Sequence, residues 1–227
     1  MMEQRIIFHI GLPKTGTTFL QKNVFPYIKG ITYFNCIEYW RAEDKMFLNP
    51  FFLQFNSGVN LISDERICGL GYLNHPYISM LDRIRTLKKV YPEAEIIFVT
   101  RDLEYLTVSL YKQYGKYSYG VLNFNEWFDT ELDLSMITGI HDTIEYIVKN
   151  FKDSLILDYG KLLENQDGFI QEITDFLGAP RLTEYNRKRL HVSPKNEAVR
   201  SIIKLNRSRL PWWIKKPIRL VYRQNHN

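Results

Sequence analysis

One stretch, Arg5 to Gln21, constrains this chain more than any other; it reads RIIFHIGLPKTGTTFLQ. Ile6 to Ile10 are mostly apolar and β-favouring, the pattern of a strand buried on both faces. Gly11-Leu12-Pro13 is a turn signal, and Thr17-Thr18-Phe19-Leu20 opens a helical pattern led by a hydroxyl residue. A strand, a tight glycine-bearing loop with a lysine, and a helix start together make a phosphate cradle. In it the backbone N–H groups of the loop and first helical turn converge on an anion.

The nucleoside-triphosphate version of this loop is GxxxxGK[ST], with lysine directly after the second glycine. Here Gly11 and Gly16 have the required spacing, but Thr17 stands in the lysine position and Lys14 lies inside the loop. A chain lacking the lysine that reaches the β- and γ-phosphates is a poor ATPase or GTPase. Pro13-Lys14-Thr15-Gly16-Thr17-Thr18 instead resembles, residue for residue, the 5′-phosphosulfate loop of the sulfotransferases that use 3′-phosphoadenosine-5′-phosphosulfate (PAPS). The resemblance implies PAPS as donor, 3′,5′-ADP (PAP) as product and no metal.

The rest of the chain suits that fold. Strand patterns at Ile31–Asn35, Val59–Ile62, Glu95–Thr100 and Ser154–Asp158 alternate with helical ones. The helices are expected at Thr17 to about Tyr27, Asn49-Pro50 to Phe55, Ile78–Val90, Leu103 to about Tyr114, Phe124–Glu131, His141–Phe151 and Gly168–Leu177. This alternation predicts an α/β protein, a P-loop-like three-layer fold with a central, mainly parallel sheet flanked by helices. Ligands then sit at the carboxyl ends of the strands. Residues 1–180 are expected to form this domain, and residues 181–227 a basic helical extension.

Two further segments carry the resemblance. Arg101 closes the Glu95–Thr100 strand, and Ser109 follows eight residues later, before Leu110-Tyr111. An arginine fork plus a hydroxyl suits a terminal phosphate. The pair looks like the family's 3′-phosphate motif, with Asp102-Leu103 in place of the commoner Asn-Pro. Leu155 to Pro180, LILDYGKLLENQDGFIQEITDFLGAP, is similar to the family's strand–loop–helix ending in FLG.

Catalysis requires positive charge on the leaving phosphate and a base for the acceptor hydroxyl. Lys14 is the candidate for the first. For the second, Glu65 in LISDER resembles the glutamate of glycan-acting sulfotransferases, with Asp64 beside it able to exchange roles. His75 is the alternative, because small-molecule sulfotransferases use a histidine. In the tail, Arg187 and Lys188 fall where the family often has a basic loop over the nucleotide.

Thirteen Lys and Arg against two acidic residues make 181–227 strongly basic, although the whole chain carries only +5. Leu210 to Arg223 mixes Trp212, Trp213, Tyr222 and aliphatics with cations. It suits packing on the domain or a partner subunit, or peripheral contact with a membrane surface. Cys36 and Cys68 make neither a disulfide framework nor a metal motif. With no apolar leader and no membrane-length span in the sequence, a cytoplasmic location is expected, with the inner membrane face as a docking place. The expected acceptor is a hydroxyl of a carbohydrate or glycolipid, with no nucleic acid involved. The competing readings are an ATP-dependent P-loop kinase and a non-catalytic nucleotide-binding or membrane-docking module.

Overall fold

The computed structural model describes residues 3–35, 54–68, 79–117, 121–130, 139–187 and 196–208. They divide into two compact units, Met1–Asp102 with Leu134–Arg187, and Leu103–Asp133 with Lys188–Asn227.

The first unit is built on a five-stranded parallel sheet. Its strands are β1 (Arg5–Gly11), β2 (Ile31–Asn35), β3 (Val59–Ser63), β4 (Glu95–Thr100) and β5 (Ser154–Asp158), in spatial order β2-β3-β1-β4-β5. The central strand β1 pairs His9 with Ser63 on one side and with Ile97 on the other. Alternation along each strand therefore feeds two cores. Ile7, Leu61, Ile97, Val99 and Leu157 face a layer formed by α1 (Thr17–Asn23) and by two later helices of this unit, numbered below as α6 (Tyr159–Glu164) and α7 (Gln166–Leu177). That layer contributes Phe19, Leu20, Leu162, Phe169, Ile170 and Ile173. On the opposite face Phe8 meets Tyr91, which ends α2 (Met80–Val90), and α2 packs on α5 (Ile140–Asn150). The result is the three-layer, P-loop-like α/β arrangement.

One ion pair ties the amino ends of the strands to α7. Arg5 donates from Nε and Nη2 to the two Glu95 carboxylate oxygens, at 3.0 and 2.5 Å, and from its two terminal nitrogens to the carbonyls of Leu177 and Phe176. Helix ends follow local chemistry. Asn165 caps α7 by accepting from Gly168 N–H, and Gly178 closes it in the left-handed conformation. Asp158 caps α6 through Gly160 N–H, turning the chain into a helix directly after β5, where the sequence suggests only a turn. Pro26 splits the first expected helix into α1 and a short 3-10 turn, Phe25–Tyr27. The helix expected from Asn49 lies almost wholly outside the described residues.

The second unit contains α3 (Leu103–Tyr117), α4 (Phe124–Thr130) and α8 (Asn196–Arg207). Tyr111, Tyr114, Phe124 and the buried Trp127 form its aromatic centre. Asn123 and Glu126 cap α4 reciprocally, and Arg207 of α8 pairs with Glu126 at 2.6 Å.

Candidate active site

The central strand opens into the loop at Gly11. A Cβ there would lie 2.6 Å from the Val99 carbonyl oxygen, so only glycine brings the backbone close enough for Leu12 N–H to donate to Val99 at 3.0 Å. Thr15 Oγ1 then donates back to the Leu12 carbonyl at 2.6 Å, which closes the turn. Gly16 sits at φ 79, and a Cβ on it would be 2.8 Å from Leu162 Cδ2 and 3.0 Å from Tyr159 Cε2. Its carbonyl accepts the first helical bonds, from Phe19 and Leu20 N–H. No side chain caps α1, which leaves the N–H groups at Thr17 and Thr18 uncommitted to a cap.

Lys14 is the only non-glycine residue at positive φ among the described residues, at 66°. A side chain in that region costs on the order of 1–2 kcal/mol, so something must hold it. Arg101, at the carboxyl end of β4, does so: its Nη1 donates to the Lys14 carbonyl at 2.6 Å. The guanidinium also lies over the Tyr159 ring, 4.8 Å from the centroid. Burial lowers the arginine's pKa from its ordinary value, opposed by Tyr159, Asp102 and Asp158. Tyr159 therefore supports the loop twice, against Gly16 and beneath Arg101. A tyrosine directly after a strand's carboxyl end is a position that faces the ligand rim.

Across the loop, β3 ends at Ser63, followed by Asp64 and by Glu65, which opens a 3-10 turn, Glu65–Cys68. Asp64 N–H donates to the His9 carbonyl at 3.1 Å, and the buried Asp64 carboxylate accepts from Arg66 N–H and Nε, both at 3.0 Å. Asp64 is thus committed to Arg66. Glu65 instead interacts with the Thr17 hydroxyl at the start of α1, which favours its charged form. Burial raises the Glu65 pKa above its ordinary value; Asp64 adds to this, while the Thr17 hydroxyl, Lys14 and Arg66 oppose it. A carboxylate partly withheld from water, beside the loop's own helix and within the field of Lys14, has the properties of a base poised near an anionic donor.

Lys14, Thr15, Gly16, Thr17, Glu65 and Arg101 are therefore gathered at the carboxyl ends of β1, β3 and β4, with Pro13 and Thr18 in the same loop and first helical turn. Ser109 is buried on α3 within the second unit. Arg187 donates to Asp167 at 2.9 Å and lies over Tyr185, whose hydroxyl donates to the same carboxylate at 2.5 Å. Tyr185 in turn touches Phe19 of α1. Asp167, Tyr185 and Arg187 border a cavity of about 220 Å³ that also includes Arg181 and Thr183. His75 and Lys188 lie outside the described residues. Among the described residues no group of His, Cys, Asp and Glu could hold a metal ion, and no helix is long and apolar enough to cross a membrane.

Comparison with protein-family models matches residues 34–184 to the sulfotransferase family. The chain belongs to the sulfotransferase family. Membership makes it a transferase of sulfuryl groups. The matched region contains Glu65, Arg101 and Ser109 and begins after the Lys14 loop. Among solved structures, a sulfotransferase from Alicyclobacillus acidocaldarius shares the fold at a TM-score of 0.54 and 11% identity, over 90% of this chain and 93% of that one. Mouse sulfotransferase SULT7A1, crystallised with PAP, aligns at a TM-score of 0.47 and 17% identity, over 90% of this sulfotransferase and 66% of the mouse chain. A search of curated proteins by sequence finds no match.

Proposed function

We propose that this sulfotransferase takes its sulfuryl group from PAPS and moves it in line onto a hydroxyl of a carbohydrate or glycolipid. The observation that carries the reading is the convergence of the Lys14 loop, Arg101 and Glu65 on one rim of the sheet. Pro13 to Thr18 receive the 5′-phosphosulfate through loop N–H groups and hydroxyls. By the family resemblance, Arg101 and Ser109 are assigned to the 3′-phosphate, and Arg187 and Lys188 to the basic contacts with the nucleotide. The acceptor oxygen attacks sulfur as the bond from sulfur to the 5′-phosphate oxygen breaks. Glu65 takes the acceptor's proton and Lys14 offsets the charge left on the departing PAP. His75 is the second candidate for the base. No metal takes part in this scheme.

The basic aromatic tail gives the enzyme a means of working at the inner face of a membrane, where a lipid-linked glycan would be presented. The placement is cytoplasmic. Calorimetric titration with PAP and with ATP tests the donor assignment. A clear preference for the 3′-phosphorylated nucleotide is expected, whereas tight Mg²⁺-dependent ATP binding without that preference would move the reading to a kinase. Binding of neither would remove the nucleotide altogether. Turnover of PAPS with p-nitrophenyl glycosides, against simple phenols, tests the acceptor class.

A further inference from the structure

Beneath the loop, three polar side chains with almost no solvent contact form a chain of hydrogen bonds that the transfer chemistry leaves unused. His9 of β1 and Ser63 of β3 are fully buried, and Gln21 of α1 is 2% exposed. Gln21 Nε2 donates to Ser63 Oγ at 3.0 Å and approaches the Ser63 carbonyl at 3.4 Å. His9 Nδ1 lies 2.7 Å from the same Ser63 Oγ. Ser63 Oγ has two acceptor lone pairs and one proton, so it serves Gln21 as acceptor and His9 Nδ1 as donor or acceptor according to the imidazole tautomer, with the ring set edge-on to Phe25 at 4.8 Å. The bonds join α1, β3 and β1.

Spacing makes this network relevant to the rim above it. Gln21 is one helical turn beyond Thr17, on the same face of α1, and Ser63 is two residues before Glu65. The Gln21–Ser63 hydrogen bond and the approach of Thr17 to Glu65 thus join the same helix to the same strand end. An apolar filler of equal volume at Gln21 would serve stability about as well. What apolar contact cannot do is fix the rotation of α1, since it has no direction. Hydrogen bonds have one, and a catalytic base must be held to within a fraction of an ångström.

We propose that the His9–Ser63–Gln21 network is a positioning device, which sets α1 against the end of β3 so that the Thr17 hydroxyl stays beside the Glu65 carboxylate. The inference rests on Glu65 acting as the base. Gln21→Met is the informative variant: it keeps the volume and removes the only member on α1, while Lys14, Asp64 and Arg66, the charged groups acting on Glu65, are untouched. Ser63→Ala is the second variant. Each is measured for PAP affinity, for PAPS turnover with p-nitrophenyl glycosides or, without acceptor, with water, and for the pH dependence of that turnover.

The expected result is PAP affinity within about threefold of wild type with kcat reduced at least about tenfold. The acid limb of kcat should move to higher pH, because a carboxylate that loses a donor is protonated more readily. In a Glu65→Gln background Gln21→Met should cause no further loss. A folded Gln21→Met enzyme with wild-type kcat and an unmoved acid limb, or a loss repeated in full in the Glu65→Gln background, overturns the positioning role alone. Wild-type turnover in Glu65→Gln itself overturns the base assignment and the device together. Should Ser63→Ala not fold, Gln21→Met decides the matter.

Discussion

Replacing Arg101 by alanine should weaken different nucleotides by different amounts, because the guanidinium has two tasks. One is the proposed contact with the 3′-phosphate. The other is visible in the protein itself, the 2.6 Å bond to the carbonyl of Lys14, a residue held at φ 66. A charged donor on a carbonyl is worth about 1.5–3 kcal/mol, and the stacking on Tyr159 adds about 0.5–1 kcal/mol. Once the loop relaxes to relieve its strain, a net loss of about 1.5 kcal/mol remains, roughly tenfold in affinity for any ligand that needs the loop in its present shape. Adenosine 5′-phosphosulfate, which lacks the 3′-phosphate, should therefore bind about tenfold more weakly to the variant. PAP should lose a further 2–3 kcal/mol, in total on the order of a thousandfold. Arg101→Lys reaches one partner but not both and should fall between. Isothermal titration of the three proteins with both nucleotides reads these values directly. Unchanged affinity for adenosine 5′-phosphosulfate in Arg101→Ala would refute the bracing role, and equal losses for the two nucleotides would refute the 3′-phosphate contact.

Gly16→Ala puts a Cβ at φ 79, with its nearest neighbours at 2.8 and 3.0 Å. It should lower stability by about 2 kcal/mol and abolish PAP binding, as denaturant unfolding and titration would show; a variant as stable as wild type would mean the loop is not held as described. Glu65→Gln should reduce kcat by about a hundredfold or more with little change in PAP affinity. A base works ionised, so wild-type kcat should rise with pH through the raised Glu65 pKa, and its acid limb should lie above the ordinary carboxylate range; a limb that persists in Glu65→Gln would point to another group. Burial holds His9 near a pKa of about 3, against 6.5 for a free imidazole. The unfolded chain therefore takes up the proton first as pH falls, and stability should decline by up to about 1.4 kcal/mol per pH unit between roughly 6.5 and 3. His9→Gln should flatten that slope in urea titrations, and an unchanged slope would assign the acid sensitivity to the carboxylates instead.

The sheet was legible because buried parallel strands are continuous apolar runs. Ile31–Asn35, Glu95–Thr100 and Ser154–Asp158 have the bounds their residues suggest, and Val59–Ser63 gains one residue. The Lys14 loop was legible because its glycines are forced by close backbone approach and positive φ. Features decided by pairing across the fold were not. Asp64 and Glu65 are interchangeable as letters; they separate only when Arg66 engages one and Thr17 the other. Tyr159 is unremarkable until Arg101 lies on its face, and Arg187, a plain basic residue in sequence, is paired with Asp167. His9 and Gln21, polar letters in apolar stretches, did carry a signal, since such residues are buried only with partners.

The position of β1 has a consequence for how the chain reaches this structure. Among the five strands of this sheet the central one comes first in the sequence, and both its neighbours come later: Ile7 must wait for Leu61 on one side and Glu95 on the other. Until then an apolar segment emerges with two open edges and nothing to cover either face. Parallel pairing over such separations is slow to form, since each contact closes a long loop before it stabilises anything. Nascent chains of this enzyme should thus be exposed to aggregation through the Arg5–Gly11 segment, and yield should respond more to chaperones or slowed translation than to stabilising substitutions in the finished fold.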